Sequence, residues 1–114
     1  MIKLNKDSII YIFDPANIET GGIECSYSLA SAYKQLGFNT KMVLLHHNLH
    51  PQHHDDWKEV INVDEHKAVV KIPEAYSKYI SEDDLIFEVE DNSNNLIVIP
   101  EIWPNILDGY KNIQ

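Results

Sequence analysis

Arginine is absent from this chain. All nine basic residues are lysines, set against eighteen acidic ones, for a formal net charge of −9. An acidic chain without guanidinium forks is a poor partner for nucleic acid or for an anionic membrane surface. Cysteine is nearly absent too. Cys25 stands alone, which rules out an internal disulfide, and its place in a helical apolar pattern predicts a core position. No apolar run approaches the ~20 residues of a transmembrane helix. Residues 1–8 are polar where a signal peptide needs an apolar core. The expectation is a cytoplasmic protein with no membrane span. Glycine is scarce, at four residues in 114, yet two of them stand side by side at Gly21 and Gly22.

That pair lies in the most informative stretch, Ile9 to Leu45. Ile9 to Phe13 is a continuous apolar run, suited to a strand covered on both faces. Asp14 and Pro15 are expected to end it, because proline removes a ladder donor. From Ile23 the spacing turns helical. Ile23, Tyr27, Ala30 and Tyr33 form an apolar stripe, and Cys25, Leu29, Ala32 and Leu36 are expected to widen it. Gly37 is placed to stop the helix in a left-handed conformation. Thr40 to Leu45 is strand-like again. The order is one βαβ unit, and open α/β sheets bind ligands at the carboxyl ends of their strands. The candidate site therefore runs through an exposed loop from Asp14 to Glu24. Bare amides of Gly21 and Gly22 at a helix start suit a phosphate or a sugar. The pair is neither a Walker sequence nor GxGxxG.

The rest of the chain is less regular. Five of the six histidines lie between His46 and His54, followed by Asp55 and Asp56, a set of nitrogen and oxygen ligands that zinc accepts. Pro51 interrupts any helix through them, so a solvated loop is expected and no metal site is assigned. Val69 to Glu74 and Ile97 to Glu101 read as strands ending in Pro-Glu. Leu85 to Glu90 and Leu96 to Ile99 flank DNSNN, a turn sequence, and predict a hairpin. Pro104 suits the first turn of a short helix, with Glu101 near its start as a helix-start carboxylate or a sugar-hydroxyl acceptor. Trp57 and Trp103 are expected in the core or at a domain interface. Glu82, Asp83 and Asp84 read as a solvated edge.

The segment DPANIETGGIECSYSLASAYKQLGFNTKMVLL resembles the opening of the N-terminal domain of bacterial glycosyltransferases of the GT-B fold. The likeness rests on the strand, the glycine pair, the Leu-Ala helix and the Leu-Gly-Phe turn. LIVIPEIWPNI, from Leu96 to Ile106, resembles the strand and Pro-Glu met later in some members. The two segments cover under half of the chain. The resemblance implies a Rossmann-like, mostly parallel open sheet with helices on both faces, formed by residues 1–114 as a single, incomplete acceptor-side domain. It implies a sugar moved from a nucleotide-sugar donor to a saccharide or lipid-linked acceptor. Thr20, Gly21, Gly22, Glu24 and Glu101 are the candidate substrate-binding residues. The donor site and its paired glutamates would belong to a C-terminal domain that this chain lacks. No catalytic residue, metal or cofactor is assigned, and the isolated chain is expected to be inactive. Two other classes compete: a small flavodoxin-like ligand-binding or response module, and a histidine-cluster metal-binding protein.

Overall fold

The computed structural model describes residues 2–46, 49, 51 and 56–114. Among these, three strands form one parallel sheet in the order β2-β1-β3. β1 spans Ile9–Pro15, β2 spans Asn39–Leu45 and β3 spans Leu96–Val98. β1 is central. It pairs with β2 from Ile9↔Asn39 to Pro15↔Leu45, and with β3 from Ile10↔Leu96 to Ile12↔Val98. The sequence expectation of an open, parallel α/β sheet is met.

Period-two alternation divides β1 between two cores. Ile10 and Ile12 face helix α1 (Gly21–Gln35), together with Tyr27, Ala30, Met42, Leu44 and Tyr76. Tyr11 and Phe13 face the other side, against Trp57, Ile61, Trp103 and Ile106. Trp57 opens the short helix α2 (Trp57–Val60), and Ile106 belongs to a 3₁₀ helix at Pro104–Gly109. A strand buried on both sides has no polar face to spare, which is why β1 and β2 read as unbroken apolar runs.

α1 starts on a proper cap. Thr20 Oγ1 accepts from the Ile23 amide at 3.3 Å, and the helix stops before Gly37, whose φ of +94° needs a residue without Cβ. Only part of the expected stripe is buried. Tyr27 and Ala30 are in the core, but Cys25, Ala32, Leu29 and Leu36 lie on the exposed side. The sheet is narrow beneath α1, so one stripe suffices and the second faces solvent.

Several further expectations are corrected. β1 does not end before Asp14. The strand runs through Pro15, and Asp14 pairs with Leu44. No strand forms at residues 70–73, and Val69 is instead the last residue of helix α3 (Asp64–Val69). The expected hairpin is also not formed, because β3 runs parallel to the central strand and Leu85 makes only a single parallel bridge to Met42. The turn at 91–95 is held by side chains: Asn95 Nδ2 donates to the Glu90 carbonyl, and Asp91 accepts from the amides of Lys111, Asn112 and Ile113. Those bonds tie the turn to the end of the chain rather than folding 85–90 back on β3. Asp84, read as part of a solvated edge, is buried.

Candidate functional site

With all three strands parallel, Pro15, Leu45 and Val98 end at one edge of the sheet. The chain moves from β1 to β2 on one side, then returns to place β3 on the other side of β1. That reversal is the topological switch point where open α/β sheets form their ligand crevices. The loop entering α1 rises from this point.

The loop is held from outside itself. Asn17, with φ of +62°, donates to the Val69 carbonyl and accepts from the Lys71 amide at 2.9 Å. The Thr20 carbonyl accepts from the Glu24 amide at 2.9 Å and from the Tyr76 hydroxyl at 3.1 Å. Tyr79 donates to Glu24 Oε1 at 3.0 Å. Gly21 and Gly22 form the first turn of α1. A Cβ built on either would meet nothing within 4 Å, and neither has a positive φ. The fold itself therefore makes no demand for glycine at either position.

Behind the loop lies Asp14. It is 3% exposed, with Ser26 of α1 close enough to its carboxyl to favour the charged form slightly. Among the described residues its Oδ2 is buried with no hydrogen-bond partner, as is the Tyr27 hydroxyl. Burial raises the Asp14 carboxyl to about 7, against the modest opposing effect of Ser26. Burial, the Asp14 charge and Tyr76 together push the Tyr27 phenol up, so it stays neutral. The Tyr27 and Tyr76 rings pack at 4.8 Å between centroids.

Of the residues singled out in the sequence, Thr20, Gly21, Gly22 and Glu24 are brought together here. Glu101 lies exposed in the turn after β3, and no hydrogen bond joins it to the α1 loop among the described residues. Nor does it cap the 3₁₀ helix, whose N-cap residue is Trp103, with no side-chain capping bond to the helix. Sequence reasoning missed Tyr76 and Tyr79 as loop supports, and it missed the burial of Asp14 beside Ser26. The available signal for Asp14 was its place at the end of an apolar run in a sheet covered on both faces.

A second feature sits at the end of β2. His66 on α3 accepts from the His46 amide through Nε2 at 3.3 Å, so the neutral ring carries its proton on Nδ1, 3.1 Å from the Ile61 carbonyl. Burial holds its pKa below the ordinary histidine value. A cavity of about 450 Å³ adjoins it, lined by Val60, Val63, Glu65 and Val69 among others. Most of the histidine cluster (His47, His50, His53, His54) and Asp55 lie outside the described residues. Among the described residues no group of three or more histidine, cysteine or acidic side chains is placed to hold a metal ion. No helix among them is long and apolar enough to cross a membrane.

No protein-family model matches this chain, and neither does any curated protein or solved structure.

Proposed function

We propose that this chain is the acceptor-side, N-terminal portion of a GT-B-type glycosyltransferase, and that the first turn of α1 faces the substrate cleft. The observation that carries this reading is the glycine pair. Glycine in a helix is less favourable than alanine by roughly 0.5–1 kcal/mol. Gly21 and Gly22 have ordinary helical geometry and open space where a side chain would stand. Nothing in the chain's own packing accounts for two such residues in succession. A substrate approaching the backbone closely does account for them. Their position at the switch point of a parallel sheet, beside a loop fixed by Asn17 and Tyr76, supports the same reading.

In this scheme the chain supplies positioning, and the nucleotide-sugar donor is held mainly by a further domain. The acceptor is a saccharide or a lipid-linked saccharide. The test is Gly22→Val in the intact protein, with turnover and melting temperature measured side by side. A large loss of turnover with a near-constant melting temperature is expected. Unchanged turnover would defeat the assignment, as would robust transfer by the 114-residue chain alone.

A further inference from the structure

The outer side of α1 carries a second apolar stripe that the fold leaves uncovered. Cys25, Leu29, Ala32 and Leu36 follow one another at intervals of 4, 3 and 4 residues. That is the a/d spacing with which one helix packs along another. All four are exposed, Leu29 by 37% and Leu36 by 73%. At ~1.5 Å per residue the seam is about 16 Å long.

No charge borders the seam. Ser28, Ser31 and Gln35 lie along one side of it, and Ser26 and Tyr33 along the other. The two charged residues of α1 are engaged elsewhere: Glu24 accepts from Tyr79 at 3.0 Å, and Lys34 pairs with Asp84. Other exposed aliphatic side chains sit among charges. Val63 and Val69 bracket Asp64, Glu65 and Lys67, and Ile102 and Leu107 adjoin Glu101 and Asp108. Each copy carries a net charge of −9. A like-charged pair at ~4 Å costs about 1 kcal/mol even in bulk water. Two copies therefore meet with least repulsion along this seam.

We propose that the seam is a contact between two copies of this chain, with α1 packed antiparallel on α1 about a twofold axis between Leu29 and Ala32. The order of side chains along the seam sets the direction. In an antiparallel pair Leu36 lies over the partner's Cys25, and Leu29 over the partner's Ala32. Every layer then holds one large and one small side chain. A parallel pair would crowd leucine on leucine and leave a void between alanines, against the close packing of protein interiors. Antiparallel packing also sets the positive end of each helix beside the negative end of the other. A twofold contact needs only one self-complementary patch. The seam and its border amount to nine residues, against about 20–30 a side in a standard interface, so the dimer is weak and reversible. It does not depend on the sugar-transfer reading.

Sedimentation equilibrium of the 114-residue chain at loadings up to about 1 mM is expected to show a monomer–dimer equilibrium with a Kd on the order of 0.1–1 mM. The dimer is expected to tighten as salt is raised, since salt screens the repulsion between the two acidic copies and no ion pair holds the seam. Leu29→Glu sets two carboxylates at the axis. It is expected to weaken the dimer at least tenfold and to leave the melting temperature of the dilute monomer unchanged. Leu107→Glu, exposed on the other face of the sheet, is expected to leave the dimer as it is. Oxidation with diamide reads the direction. In the antiparallel pair the two Cys25 residues are about 16 Å apart along the helix axis, beyond disulfide reach. Leu36→Cys puts a thiol opposite the partner's Cys25, and is expected to give a covalent dimer at least tenfold faster than the parent chain. A chain that stays monomeric to 1 mM, a dimer that survives Leu29→Glu or dissociates in high salt, or a parent chain that cross-links as fast as Leu36→Cys would each overturn the proposal.

Discussion

The two ends of α1 each meet a buried aspartate, and the two are treated in opposite ways. At the last turn, Asp84 accepts from Lys34 Nζ at 2.5 Å and from the Ser81 amide at 2.9 Å. Burial pushes its carboxyl up, but Lys34, the Ser81 amide and the nearby Lys41 outweigh burial and hold it below the usual carboxylate range. Near the first turn, Asp14 is more deeply buried, has only Ser26 to offset that burial, and is raised to about 7. One aspartate is solved as a structural joint. The other keeps a buried oxygen without a hydrogen-bond partner among the described residues, at the edge where the strands end. Burial alone does not fix the behaviour of a carboxylate; the supply of donors around it does.

The comparison breaks most readily at Asp14. A carboxyl whose folded value is raised contributes stability that is fully present below its unfolded value and is lost as pH rises through the folded value. Here that window runs from 3.8 to about 7. At 1.36 kcal/mol per unit the loss amounts to about 4 kcal/mol. Urea denaturation at pH 5 and pH 8 spans about two units of that window and is expected to show about 3 kcal/mol of it, and Asp14→Asn is expected to abolish it and to stabilise the protein at pH 8. An Asp14→Asn variant with the same pH dependence as the parent chain would show that Asp14 is not the group that titrates. His66 works against this trend. Its lowered folded value means that its contribution is present above about 6.5 and is lost as pH falls toward the folded value. The Asp14 effect is therefore read as the difference between parent and variant at each pH.

Asp84 is expected to behave in the opposite sense. Asp84→Ala removes the Lys34 pair and the carboxylate of the Ser81 capping box, and is expected to cost about 1–3 kcal/mol at neutral pH. Its contribution is present above the ordinary carboxylate value and is lost as pH falls through the depressed one. Thermal unfolding at pH 7 and pH 3 checks both statements, and a neutral or stabilising Asp84→Ala would erase the contrast with Asp14. The smallest effect is expected at the glycines. Gly21→Ala and Gly22→Ala are each expected to raise stability, by roughly 0.4–1 kcal/mol, since the added methyl meets open space. Destabilisation by either would mean that the fold does need glycine there, which would weaken the case for a close-approaching substrate.

The βαβ unit was legible because its signals are local. An apolar run on each side, a 3.6-residue stripe and a glycine stop specify strand, helix and strand without reference to distant residues. The segment from 57 to 90 was less legible for the opposite reason. Its helices are short, and Leu85 and Phe87 pack on one face of the sheet while Ile86 and Val89 pack on the other. That alternation is a strand's pattern, but a single bridge to Met42 replaces the ladder. The glycine loop was placed correctly from sequence, while its supports were not. Tyr76 and Tyr79 lie more than fifty residues along the chain from Thr20 and Glu24, and no local pattern announces their hydroxyls. Asp14 shows the same limit. Whether an aspartate at a strand end is solvated depends on what later segments lay over it.

The Asn17 clamp ties the timing of events in the α1 loop to those in a remote stretch of chain. Its two bonds reach Val69 and Lys71 across more than fifty residues. A side chain bonded to both a carbonyl and an amide of another segment cannot let go of one region without releasing the other. The entry to α1 and the stretch around 69–76 should therefore open and close as one unit. In native-state hydrogen exchange the amides of Lys71 and Glu24 are expected to share one opening free energy, and Asn17→Ala is expected to lower both together.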